Sequence, residues 1–119
     1  TGQTTTVRDF VKMAFQYAGI EVEFKGTGVD EKAYIAHCSN PKYQVELGKE
    51  VVAVDHRYFR PTEVDLLLGD PSKAETKLGW KREYKLKELV DDMMKNDLKL
   101  MTKDVYLQDG GYKTMDYYE

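Results

Sequence analysis

Apolar residues recur at intervals of three and four near the start of the chain. They are Val7, Phe10, Val11, Ala14, Phe15 and Ala18, and this spacing places them on one face of a helix. Thr6 precedes the run and Asp9 follows three residues later, which is a variant of the capping box found where helices begin. Gly19 can adopt the left-handed conformation that ends helices. The pattern predicts an amphipathic helix that begins after Thr6 and ends at Gly19.

The next residues alternate instead, because the apolar Ile20, Val22 and Phe24 are separated by two glutamates. A period of two predicts a strand over residues 20–24 with one buried face. Residues 25–28 have the composition of a turn, and residues 33–38 form a second, weaker strand pattern that suits a hairpin partner. Residues 50–55 are the most β-rich run. Because that run is apolar at four consecutive positions, it predicts a strand buried on both faces.

Two helices are predicted in the second half of the chain. Asp70 followed by Pro71 is typical of a helix start, and Gly79 ends the short helix that follows. A long helix is predicted from about Lys85 by a broad apolar stripe. Its members are Leu86, Leu89, Val90, Met93, Met94, Leu98 and Met101, and the methionines are interpreted as core residues. Trp80, between the two helices, is also predicted to be a core residue rather than a binding platform.

The predicted order is one helix, two or three strands, a short helix and a long helix. This order favours a small α/β or α+β unit. At 119 residues, the chain is expected to form one partial domain over residues 1–119. It does not begin with methionine and starts in the middle of a pattern, so we expect it to be a piece of a longer protein.

The composition narrows the possible partners. Charged residues make up 33% of the chain and the net charge is −3, with acids and bases intermixed, so no basic surface for nucleic acid or an anionic membrane is expected. A small molecule or a protein is the expected partner. One cysteine and two histidines give neither a disulfide framework nor a metal-ligand cluster. With no signal-peptide pattern and no apolar run of about 20 residues, we expect a cytoplasmic protein.

The main candidate site is the stretch Asp55-His56-Arg57-Tyr58-Phe59-Arg60-Pro61-Thr62-Glu63-Val64, which directly follows the third strand. Pro61 biases Arg60 towards an extended conformation, which predicts that Arg60 and Glu63 project near each other. A guanidinium fork matches phosphate oxygens, and a carboxylate accepts two hydrogen bonds from a vicinal diol such as ribose. The alternative is that the two side chains pair with each other or lie on a solvated face. The spacing alone slightly favours that alternative.

Other polar residues have ordinary interpretations that the sequence favours. Arg8 could reach an anion at the helix start, but a solvated surface arginine is the favoured interpretation. Arg57 could contact the same ligand as Arg60, and a structural ion pair is an equal alternative. Cys38 is interpreted as a small buried residue rather than a reactive thiol, and His37 is interpreted in the same way.

Four blocks of the chain resemble the carboxy-terminal part of the GDP-mannose 4,6-dehydratase family, in the same order. They are Thr6-Val7-Arg8-Asp9-Phe10-Val11, Arg57-Tyr58-Phe59-Arg60-Pro61-Thr62-Glu63-Val64, Leu67-Leu68-Gly69-Asp70-Pro71-Ser72-Lys73-Ala74 and Lys77-Leu78-Gly79-Trp80-Lys81. The second block is specific to this family. The resemblance implies the small nucleotide-sugar-binding domain of an extended short-chain dehydrogenase/reductase, without its Rossmann domain.

The resemblance also implies an activity and two site residues. Enzymes of this family pass a hydride from mannose C4 to NADP, eliminate water across C5 and C6, and return the hydride to C6. The substrate is GDP-mannose, the product is the GDP-4-keto-6-deoxy-mannose used to make GDP-fucose, and a homo-oligomer is implied. Arg60 matches the family arginine that contacts the diphosphate, and Glu63 matches the acid that holds the ribose hydroxyls.

The chain departs from the family pattern where the cofactor and the catalytic residues are concerned. Gly26 and Gly28 are not followed by a third glycine and a helix start, so they do not form a dinucleotide-binding turn. No tyrosine is followed by a lysine four positions later. We therefore expect no catalytic residue and no NADP site in these 119 residues. The alternatives are a fragment of a related nucleotide-sugar epimerase and a non-catalytic nucleotide-binding or protein-interaction module.

Overall fold

A computed structural model describes residues 2–62 and 67–114 of the chain. These residues contain helices and a small sheet in the predicted order. The elements are α1 (Val7–Tyr17), β1 (Ile20–Lys25), a short 3₁₀ helix (Gly28–Asp30), β2 (Lys32–Cys38), β3 (Glu50–Ala53), α2 (Ser72–Leu78) and α3 (Leu86–Asp109).

Helix α1 begins as its sequence predicts. The Thr6 hydroxyl accepts a hydrogen bond from the Asp9 amide at 3.0 Å and donates one to the Asp9 carboxylate at 2.7 Å. The first of these bonds satisfies an amide that has no partner inside the helix. Gly19 follows the helix with a φ of 78°, the left-handed conformation predicted for it.

The three strands form one antiparallel sheet in the order β1-β2-β3. Alternate residues of β1 are buried, as the period of two predicted. Helix α1 contacts this sheet, and α3 packs against α1. The buried core therefore lies between α1 and the sheet and consists of Ala18, Ile20, Val22, Ala33 and Ile35.

The connection between β1 and β2 is a tight turn, in which the backbone of Asp30 lies close to Gly26. Gly26 has a φ of 86°, and a Cβ built on it would lie 2.3 Å from the Asp30 carbonyl oxygen. A side chain at this position would overlap the backbone, so the turn needs glycine. The predicted hairpin is confirmed.

Strand β3 differs from its prediction in length and in burial. It covers residues 50–53 rather than 50–55, and Val51 and Val52 are only partly buried. The reason is its place at the edge of the described sheet, because a strand with a neighbour on one side only is covered less than a central strand. The apolar run within residues 50–55 did not predict this edge position.

The later helices are confirmed with small shifts at their starts. Asp70 accepts a hydrogen bond from the Ser72 amide at 3.0 Å, although helix α2 begins at Ser72. Helix α3 begins at Leu86, where the Lys85 amide donates to Glu88 at 2.7 Å. Val90 is the most buried residue of its apolar stripe, with 1% of its surface exposed.

Three interpretations of apolar residues can be compared with the structure. Trp80 is 42% exposed, so its prediction as a core residue was wrong. It lies in the connection between α2 and α3, beside an open cleft that it lines together with Leu89. The methionines of α3 differ in burial. Met94 is partly buried beside Leu98, whereas Met93 is 43% exposed. Cys38 is partly buried, and its thiol lies 3.5 Å from the Asn40 carbonyl oxygen.

Candidate functional site

The first half of the candidate stretch forms a tight turn rather than an extended continuation of β3. The amides of Tyr58 and Phe59 both donate to the Asp55 carbonyl, at 3.0 and 3.1 Å. The Arg57 amide donates to the Asp55 carboxylate at 2.8 Å. An aspartate that binds amides two residues ahead stabilises a turn. We call residues 55–62 the arginine loop. The predicted extended conformation concerned Arg60, which follows this turn, and stays a prediction.

Arg57 is part of the structure of this loop. Its Nη2 donates to Asp55 Oδ2 at 2.7 Å, and its guanidinium lies over the Tyr58 ring at 5.6 Å from the centroid. The hydrogen bonds from Arg57 hold the pKa of the Asp55 carboxyl below its ordinary value, and the same pairing raises the pKa of Arg57. The ion-pair interpretation of Arg57 is therefore the one that the structure supports.

Arg60 lies in the exposed second half of the arginine loop, with Pro61 and Thr62. An exposed guanidinium on a loop can meet an incoming anion without a large desolvation cost. Glu63 lies outside the described residues, so the expected closeness of Arg60 and Glu63 stays a prediction.

The β1-β2 connection lies near this loop at two places. Immediately before the loop, the Val54 amide donates to the Glu31 carbonyl at 3.4 Å. Further along, the Phe59 ring comes within 3.8 Å of the position that a Cβ on Gly28 would occupy. The turn between the first two strands thus supports the loop that carries Arg60.

Arg8 is exposed at the surface, as the sequence favoured, but it also forms an ion pair that the sequence did not predict. Its Nε donates to Glu31 Oε1 at 2.7 Å, its Nη2 contacts the same oxygen, and its guanidinium lies 5.7 Å from the centroid of the Phe24 ring. Arg8 and Glu31 are 23 residues apart, and no local pattern connects residues at that separation. The packing of α1 against β1 and the pairing of β1 with β2 bring them together.

The turn at Gly26 and Gly28 does not have the arrangement of a dinucleotide-binding turn. Gly26 and Gly28 connect two antiparallel strands, not a strand and a helix, and the space beside Gly26 is filled by the backbone of Asp30. This turn cannot hold a pyrophosphate at a helix start. Within residues 2–62 and 67–114, no group of three acidic, histidine or cysteine side chains is arranged to hold a metal.

A separate open cleft lies away from the arginine loop. It has a volume of about 810 Å³, and its described lining includes Thr5, Trp80, Arg82, Tyr84 and Leu89 but not Arg60. The amide of Gly2 donates to the Gly69 carbonyl at 2.9 Å, which connects the start of the chain to the segment before α2. Volume alone does not define a site, and convergent polar groups are the better guide.

The guanidinium of an arginine can donate paired hydrogen bonds to an anionic group such as a phosphate. Comparison with known proteins gives the family. The profile of the family described as GDP-mannose 4,6 dehydratase matches residues 1–93. The chain belongs to this family.

Several relatives carry the same name. The chain is 45% identical over 113 residues to a GDP-mannose 4,6-dehydratase of Yersinia enterocolitica, with 94% of this chain and 30% of the relative covered. It is 48% identical over 98 residues to one of Sinorhizobium fredii, covering 82% of this chain and 25% of the relative. The human GDP-mannose 4,6 dehydratase is 40% identical over 101 residues, with 85% and 25% covered.

The chain therefore spans between a quarter and a third of the length of these curated relatives. The matched region includes the arginine loop, and the family profile ends partway along α3. In the part of the chain that the structure describes, no helix combines the length and apolar character needed to cross a membrane.

Proposed function

We propose that this chain is the GDP-sugar-binding part of a GDP-mannose 4,6-dehydratase, a lyase that converts GDP-mannose to GDP-4-keto-6-deoxy-mannose. The observation that carries the proposal is the family match over residues 1–93, which includes the loop with Arg60. The names of the relatives favour the dehydratase over a nucleotide-sugar epimerase. The whole enzyme is a cytoplasmic homo-oligomer of the extended short-chain dehydrogenase/reductase class.

Two residues bind the nucleotide in this proposal. The Arg60 guanidinium donates paired hydrogen bonds to the diphosphate, and the Glu63 carboxylate accepts hydrogen bonds from the ribose hydroxyls. Arg60 is exposed on a turn that Asp55 and Arg57 hold in shape, which supports its role. Neither residue breaks a bond. Both fix the nucleotide so that the hexose at its far end is placed for reaction.

NADP belongs to a Rossmann domain outside these residues. The space beside Gly26 is filled by the backbone of Asp30, so the turn at Gly26 and Gly28 does not supply the dinucleotide-binding loop. The contribution of the described residues to the reaction is binding and orientation of the substrate. By itself, this part is expected to be inactive.

Substitution of Arg60 tests the proposal. In the protein as its gene encodes it, Arg60→Ala should weaken GDP-mannose binding by roughly 1.5–3 kcal/mol, the range for a hydrogen bond to a charged group. Isothermal titration calorimetry measures this directly. Arg82→Ala is a matched control, because it removes an exposed arginine from the other cleft and should leave the affinity unchanged. Equal affinities for Arg60→Ala and the unsubstituted protein would refute the role of Arg60.

Two further measurements separate the alternatives. A product assay with several nucleotide sugars distinguishes a dehydratase from an epimerase, since only the dehydratase yields a 4-keto-6-deoxy sugar from GDP-mannose. The length of the encoded protein tests the non-catalytic module, because a two-domain enzyme needs about three times this length on ordinary domain sizes. A gene product of 119 residues would contradict the enzyme proposal.

A further inference from the structure

The contact between Arg8 and Glu31 joins helix α1 to the β1-β2 connection. Arg8 lies in the first turn of α1, and Glu31 lies at the end of the β1-β2 connection. The Arg8 side chain is 50% exposed and that of Glu31 only 21%. The guanidinium also lies over Phe24, so its position is fixed by a ring as well as by a carboxylate. A pair restrained in this way is stronger than two flexible side chains that meet in solvent.

Glu31 also holds the residue that precedes the arginine loop. Its backbone carbonyl accepts from the Val54 amide at 3.4 Å, one residue before the turn at Asp55. The same connection contacts the loop where Phe59 lies beside Gly28. Residues 28–31 therefore support the chain just before the loop and just before Arg60.

We propose that Arg8 and Glu31 are positioning residues for the nucleotide site. Their ion pair fixes the β1-β2 connection against α1, and the connection in turn holds the arginine loop so that Arg60 faces the diphosphate. The identity of the ligand in this inference rests on the proposed function. The effect of the ion pair on the shape of the arginine loop does not. Neither side chain touches the substrate.

The expected size of the effect follows from the kind of contact. Partly exposed ion pairs contribute about 0.2–1 kcal/mol, which corresponds to a factor of about 1.4 to 5 in an equilibrium constant. Arg8→Gln and Glu31→Gln should each weaken GDP-mannose binding by up to about fivefold. Because both substitutions break the same contact, the double variant should be no weaker than the single ones.

The binding test uses the protein as its gene encodes it. We expect Arg8→Gln and Glu31→Gln to raise KM for GDP-mannose with little change in kcat, and Arg8→Lys to restore part of the loss. Lys87→Gln is the matched control, since it breaks the Lys87–Asp91 pair on α3, whose atoms lie 2.6 Å apart, and should leave KM unchanged. Additive losses in the double variant, or equal losses in the control, would overturn the proposal.

Hydrogen exchange in the ligand-free protein tests the structural step separately. The Tyr58 and Phe59 amides report the order of the loop, because both donate to the Asp55 carbonyl. Arg8→Gln should make them exchange faster by up to about fivefold, and Lys87→Gln should not. Unchanged exchange in Arg8→Gln would refute the inference even if GDP-mannose binds normally. If the unsubstituted protein fails to bind GDP-mannose, the proposed function is wrong, and the exchange result alone decides whether the ion pair positions the loop.

Discussion

Two regions of this molecule are built in different ways. Residues 6–54, here called the packed unit, contain α1 and the sheet and bury five apolar residues between them. The exposed segment, residues 55–62 and 67–85, has no buried residue, and all of its residues except Pro71 and Ala74 are exposed. The packed unit is held by the burial of apolar surface, whereas the exposed segment is held by turns, caps and ion pairs.

The difference explains where binding groups are found. A buried polar side chain in the packed unit would cost free energy unless it were paired, whereas Arg60 lies in the exposed segment, where burial imposes no such cost. Loops on a rigid support are common sites of binding for this reason. The Phe59 ring beside Gly28 connects the two regions, and the Glu31–Val54 bond holds the chain just before the loop, so the shape of the loop depends on the packed unit although its side chains do not enter the core.

The largest difference in stability between the regions should appear when a large apolar side chain is truncated in each. Ile35 is 4% exposed and Leu78 is 81% exposed. Ile35→Ala should lower the free energy of unfolding by about 2–5 kcal/mol, the range for core truncations. Leu78→Ala should change it by about 0.5 kcal/mol or less. Urea unfolding measures both, and similar losses for the two variants would show that the regions are not built differently.

A smaller loss of stability is expected from substitution in the β1-β2 turn, which lies beside the arginine loop. Gly26→Ala must place a Cβ 2.3 Å from the Asp30 carbonyl oxygen, and the residue also has a positive φ. We expect a destabilisation of about 1–3 kcal/mol, typical of backbone strain. Gly48→Ala is the matched control, because Gly48 has a φ of 79° with no atom within 4 Å of the new Cβ. Urea unfolding should show a larger loss for Gly26→Ala, and the reverse order would contradict the steric argument.

Substitution of Thr6 tests how much the local cap of α1 contributes to the stability of the packed unit. Thr6→Ala removes the hydroxyl that accepts from the Asp9 amide at 3.0 Å, and loss of a helix cap costs about 1 kcal/mol. Thr6→Ser keeps the hydroxyl and should lose much less. Thermal unfolding followed by circular dichroism compares the two. Equal stability of Thr6→Ala and the unsubstituted protein would show that packing alone maintains the helix start.

The smallest effect is a pH dependence confined to the exposed segment. Hydrogen bonds from Arg57 lower the pKa of Asp55 below its ordinary value of 3.8. The ionised carboxylate therefore stabilises the turn above that pH, and the contribution is lost as the pH falls through the lowered pKa. The amide resonances of Arg57 and Tyr58 should shift in this range below pH 3.8 while the sheet is unaffected. Asp55→Asn should abolish the shift, and a shift that persists in this variant would assign it to another group.

Much of the fold could be predicted from the sequence because the signals are local. The three-four spacing after Thr6 and the alternation after Gly19 predicted α1 and β1, since a helix and a strand have different periods. The start of the short helix at Asp70 and its end at Gly79 were also predicted, because caps depend on residues a few positions apart. Arg60 was selected by its place after a β-rich run and by the family resemblance.

The tertiary structure decided which residues meet across the chain. The pairing of Arg8 with Glu31, the support of the arginine loop by Gly28 and Glu31, the edge position of β3 and the exposure of Trp80 all depend on how distant segments pack. No local period encodes these contacts, because the sheet register and the seat of α1 on it are fixed by burial of the whole core. The sequence by itself determined the elements and the chemistry of the loop, and packing determined how that loop is held.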